Sequence, residues 1–102
     1  MNEILDAIEQ WRARGDKVAL ATVTWTSGST PRATGAKMAI NARGEFVGSV
    51  SGGCVEGAVI DQARAVLKNG KPKLVSYGIS DDMAWDVGLA CGGSIKVFIE
   101  KL

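Results

Sequence analysis

The chain has 102 residues, with twelve Lys and Arg against eleven Asp and Glu, a formal net charge of +1, thirteen glycines, two cysteines and no histidine. With 46% apolar and 23% charged residues it has the composition of a single globular domain, which excludes a disordered or collagen-like chain, and its near-neutral charge argues against a nucleic-acid binder. The absence of histidine excludes Ser-His-Asp and Cys-His catalysis and histidine-ligated metals, and two cysteines without C-x-x-C spacing cannot close a zinc site.

Residues 2–14 place Ile4, Leu5, Ile8 and Trp11 at helical spacing behind an Asn2 cap, with Gly15 as the stop. Lys17 to Trp25 is rich in Val and Thr and alternates as a partly buried strand, and the small residues from Ser27 to Arg32 break it into a loop. Residues 36–41 and 45–50 flank Ala42-Arg43-Gly44, a three-residue connection suited to a bulged antiparallel hairpin. After Ser51-Gly52-Gly53-Cys54, Val55, Val59, Ile60, Ala63, Val66 and Leu67 share one broad helical face, and Gly70 ends that helix. Lys73 to Tyr77 reads as a strand, Ser80 to Trp85 as a short helix with an acidic first turn, and Ser94 to Glu100 as a final alternating strand.

The predicted order is α-β-β-β-α-β-(short α)-β. It describes a single small α/β (α+β) domain over residues 1–102, with a mixed sheet, a β-hairpin and a covering helix, not a doubly wound fold. No apolar run approaches the roughly 20 residues of a membrane helix, and the N-terminus is acidic and amphipathic, so a soluble, cytoplasmic protein is expected.

Both cysteines stand beside paired glycines at a junction between elements, in SGGCVEG at 51–57 and ACGG at 90–93. Glycines just before a helix leave backbone N–H groups facing outward at its partly positive end, where an anion or a thiolate is favoured. Cysteine as a small buried hydrophobe and Gly-Gly as turn punctuation account for either segment alone; the recurrence of the pattern at both cysteines is what points to a site. A disulfide between them is disfavoured in a reducing cytoplasm.

Neither G-x-G-x-x-G nor G-x-x-x-x-G-K-[ST] occurs. Arg32 offers a bidentate fork to phosphate, although a solvated loop arginine is the commoner case. Glu56, in the first helical turn, is either a polar contact or acid–base group or simply a favourable partner of the helix dipole, and Asp81, Asp82 and Asp86 carry the same ambiguity. Met83 and Trp85 suit a flat heterocycle or ordinary core packing.

The ordered set ATV at 21–23, GSTPR at 28–32, TGAKM at 34–38, GSVSGGCVEGAV at 48–59, GKPKLVSYGISDD at 70–82 and VGLACGGSIKVFIE at 87–100 resembles the N-terminal domain of the XdhC/CoxI family over nearly the whole chain. These are accessory proteins for molybdenum hydroxylases such as xanthine dehydrogenase and carbon monoxide dehydrogenase. The resemblance implies a non-catalytic chaperone that binds the molybdenum cofactor (molybdopterin), protects it and delivers it to an apo molybdenum hydroxylase, often linked to sulfuration of the metal. It places cofactor binding at Ser51, Gly52, Gly53, Cys54, Glu56, Cys91, Gly92 and Gly93, with Arg32 beside them and Cys54 or Cys91 facing the metal. A sulfurtransferase or a separate polypeptide carrying the C-terminal Rossmann-like domain of longer relatives completes the implied partners; a second copy of the chain is compatible with a small ligand-carrying domain, but no residue forces it. Two other readings stand beside it: a sulfur-transfer enzyme using Cys54 as nucleophile or persulfide carrier, for which no general base is identifiable, and a structural docking module of a maturation complex.

Overall fold

A computed structural model describes residues 2–27, 34–50, 55–77 and 94–102. Helix α1 (Asn2–Ala13) is followed by strand β1 (Val18–Ser27), the hairpin of β2 (Lys37–Asn41) and β3 (Phe46–Gly48), helix α2 (Glu56–Asn69), and strands β4 (Lys73–Tyr77) and β5 (Ser94–Lys101). The predicted order holds for these elements; the short helix at 80–85 lies outside the described residues.

The five strands form one sheet in the order β3-β2-β1-β5-β4, and all the pairings are antiparallel, where the sequence led us to expect a mixed sheet. The first and last strands are therefore neighbours at the centre. Alternation assigns the faces. Ala19, Ala21 and Val23 of β1, Met38 and Ile40 of β2, and Ile95, Val97 and Ile99 of β5 pack against Val59, Ala63, Val66 and Leu67 of α2, forming the main core. Alanines at 19 and 21 carry little bulk under the helix, and Gly70, in the left-handed conformation, ends α2 by donating its N–H to the Val66 carbonyl.

On the opposite face α1 buries Ile4, Ala7 and Trp11 against Val18 and Ala39, with Ile8, Leu20 and Val47 at the margin. It covers the β2–β3 side of that face. On the β5–β4 side the same face carries Phe98 and Leu74, paired across the strands, and Leu74 is 55% exposed.

The hairpin turn is built on Asn41, whose side chain is fully buried. Its Oδ1 accepts the N–H groups of Arg43 and Glu45, and its Nδ2 donates to Glu45 Oε1. Strand β3 is shorter than the 45–50 expected. Gly48 adopts φ +90°, where an added Cβ would stand 2.5 Å from the Lys37 carbonyl oxygen and 2.9 Å from Ile4 Cδ1. That turn ends the pairing and lets Val50 enter the core.

Candidate functional site

Strand order decides which ends come together. Strands β1, β3 and β4 run toward one end of the sheet and β2 and β5 run away from it. At that end Ser27 pairs with Ser94 and Tyr77 with Ile95, Gly48 pairs with Met38 beside the start of β2, and α2 begins at Glu56. Segments 28–33, 51–54 and 78–93 are thus all attached to the described structure at this end. Arg32 belongs to the first, Ser51, Gly52, Gly53 and Cys54 to the second, and Cys91, Gly92 and Gly93 to the third; all eight lie outside the described residues.

Glu56 is the one predicted site residue within them. It is 8% exposed, and its Oε2 accepts a hydrogen bond from Ser49 Oγ at 2.8 Å and one from the Val50 N–H at 3.1 Å. Its charge sits at the positive end of α2, as the sequence suggested. The added finding is that this carboxylate ties the exit of β3 to the start of α2, so the segment holding Cys54 springs from a base closed by hydrogen bonds. A carboxylate accepting an N–H and an O–H bond is held in one orientation.

Three features at this end were not read from the sequence. The first is the pair Trp25 and Lys96. The β1–β5 register shifts between Val23 and Trp25, so Thr24 and Trp25 together oppose Lys96. Strict alternation from the buried Val23 would send Trp25 inward under α2; the bulge turns it to the face it shares with Lys96. There Trp25 is 41% exposed, with Lys96 Nζ 5.3 Å from its ring centroid, and Thr24 Oγ1 donates to the Lys96 carbonyl at 3.3 Å. The alternation of KVALATVTW gives no local signal for the extra residue.

The second feature is Tyr77, the last residue of β4. Its hydroxyl is buried without a hydrogen-bond partner among the described residues. Burial, with a smaller contribution from Asp61, pushes its pKa up to about 12. The third is a cleft of about 430 Å³ between the first turn of α1 and the β2–β3 strands, lined by Glu3, Ile4, Gly35, Lys37, Gly48 and Ser49. A second cleft, of about 490 Å³, lies between α2 and the start of β1 with the hairpin turn, among Lys17, Ala42, Asp61, Arg64 and Lys68.

The model of the XdhC and CoxI family matches residues 11–78. The chain is 34% identical to a probable xanthine dehydrogenase component of Bacillus subtilis strain 168, over 85% of this chain and 27% of that protein. It is 35% identical to the molybdenum cofactor insertion chaperone PaoD of Escherichia coli K12, over 86% of this chain and 27% of that one. A solved structure described as a xanthine dehydrogenase from Bacillus halodurans superposes with a TM-score of 0.75 at 33% identity, covering 94% of this chain and 29% of the other. The chain therefore spans about a quarter of the length of these relatives.

Proposed function

The chain belongs to the XdhC and CoxI family, and from that membership we propose that it is an accessory protein of molybdenum hydroxylase maturation, one that holds the molybdenum cofactor and passes it to an apo-enzyme of the xanthine dehydrogenase type. The observation that carries the reading is the attachment of all three segments bearing Arg32, Cys54 and Cys91 at one end of the sheet. Antiparallel order alone brings the roots of these segments together, although they are far apart in sequence.

The residue chemistry fits such a group. Molybdopterin combines a flat pterin, a phosphate and a dithiolene that holds the metal, and when bound it supplies the redox centre of the acceptor enzyme. The N–H groups of Ser51, Gly52 and Gly53 ahead of α2, together with the Arg32 guanidinium, suit the phosphate. The thiols of Cys54 and Cys91 are the metal-facing groups, with Gly92 and Gly93 leaving room for close approach. Glu56 fixes the base of the 51–54 segment through Ser49 and Val50. At the same end Tyr77 brings a buried hydroxyl with no partner among the described residues.

The test is to purify the protein from cells that make the cofactor and to measure bound molybdopterin and molybdenum for the wild type, Cys54→Ala and Cys91→Ala. The expected result is near-stoichiometric cofactor in the wild type and a clear loss of metal in at least one variant. Absence of cofactor from all three proteins, with no uptake when cofactor is supplied, would overturn the reading.

A further inference from the structure

We infer that Trp25 and Lys96 form a docking platform for a flat heteroaromatic ring carrying an anionic substituent, outside the residues assigned above. The inference rests on the proposed cofactor function for the identity of that ring, the pterin, but its geometry stands on its own.

The bulge between Val23 and Trp25 delivers to the surface an indole of the size that cores normally bury, a side chain covering about 150–250 Å². The indole is 41% exposed, and its rung, Trp25–Lys96, lies two residues in from the Ser27–Ser94 pair at the end where the three segments attach. Two residues beyond it β1 ends at Ser27 and segment 28–33 begins; two residues before Lys96, segment 78–93 ends at the start of β5. Bulges recur next to binding sites because they re-aim one side chain without breaking the sheet, and here the side chain re-aimed is aromatic.

Lys96 gives the platform its charge preference. Its ammonium lies 5.3 Å from the indole centroid, and among the described residues it has no carboxylate partner. An ammonium over an indole restrains both side chains while keeping donors available to an anion. A ring stacked on the exposed part of Trp25 would bring its anionic substituent within reach of Lys96. The next rung on the same face, Phe98 with Leu74, continues the apolar surface away from the segments.

The experiment titrates the 102-residue chain with pterin-6-carboxylate and with unsubstituted pterin, following pterin fluorescence, for the wild type, Trp25→Leu, Trp25→Phe and Lys96→Gln. We expect saturable binding to the wild type, weakened roughly ten-fold or more in Trp25→Leu, as aromatic stacking of a base-sized ring implies, and largely kept in Trp25→Phe. Lys96→Gln should weaken the carboxylated pterin several-fold more than the unsubstituted one. Wild-type protein that binds neither pterin, or a Trp25→Leu variant that binds both as the wild type does, would overturn the inference. So would a variant that keeps its pterin but loses capture of an apo-hydroxylase, which would give this face to a protein partner. The cofactor-loading measurement on wild-type protein is independent: pterin binding that depends on Trp25 in a protein that never loads cofactor keeps the platform and removes the function proposed above.

Discussion

Tyr77 is the single tyrosine of the chain, so its ionisation can be followed without interference from another phenol. Its hydroxyl is buried with no hydrogen-bond partner among the described residues, and burial raises its pKa from 10.0 to about 12. The sign of the stability effect follows. Between pH 10 and 12 the unfolded chain has lost the phenolic proton while the folded chain keeps it, so rising pH drains stability through that window, and the group has no such effect below it. Ultraviolet absorbance should show a phenol titrating near 12, and Tyr77→Phe should flatten the fall in stability over this window. At neutral pH the same variant should be more stable by about 1 kcal/mol, because it removes a buried polar group that bonds nothing among the described residues. A phenol titrating near 10 would mean that water reaches the hydroxyl, and a destabilised variant would mean that it has a partner outside the described residues. Glu56 and Asn41 are the contrasting cases, buried polar side chains whose acceptors are used on nearby backbone and hydroxyl groups. For Glu56 the first-turn position was legible in the sequence, because helix polarity is a local property. Its burial was not, since that depends on where the exit of β3 lies.

At the scale of elements, α1, β1, the hairpin, α2, β4 and β5 were legible because each carries its own period and its own punctuation. Two departures have the same cause, a backbone irregularity imposed by a neighbouring element. The bulge in β1 answers the register of β5, and the early end of β3 answers the carbonyl of Lys37 and the side chain of Ile4. Gly48 is the more exacting of the two. Its φ of +90° penalises any side chain, and the 2.5 Å approach to the Lys37 oxygen leaves no room for one. Gly48→Ala should therefore cost about 3 kcal/mol or more, combining a left-handed residue with a backbone clash. Urea denaturation would measure it as a lower midpoint. Trimming the neighbour in Gly48→Ala/Ile4→Ala should not restore stability, because the carbonyl contact remains; recovery in the double variant would show that the Ile4 contact alone was limiting.

The molecule as a whole is organised by strand order, and strand order was the least legible feature. Nothing local to residues 18–27 or 94–101 announces that these two segments are central neighbours, yet this pairing joins the roots of 28–33 and 78–93 and sets Trp25 beside Lys96. The recurrence of glycine beside both cysteines marked the candidate segments in the sequence; that they spring from one end of the sheet is a property of the topology. The same order fixes how stability is distributed. Among the described residues β1 and β5 each have two strand neighbours and lie under α2, whereas β3 and β4 have one each, and the outer face of β4 is open at Leu74. Amide hydrogen exchange should accordingly be slowest in β1 and β5, at rates set by global unfolding, and roughly ten-fold or more faster in β3 and β4, where local opening suffices. Amides of β4 that exchange as slowly as those of β5 would contradict this ranking. That result would mean that the outer edge of β4, unpaired among the described residues, is covered in solution, and β4 would then rank with the interior strands rather than with the edges.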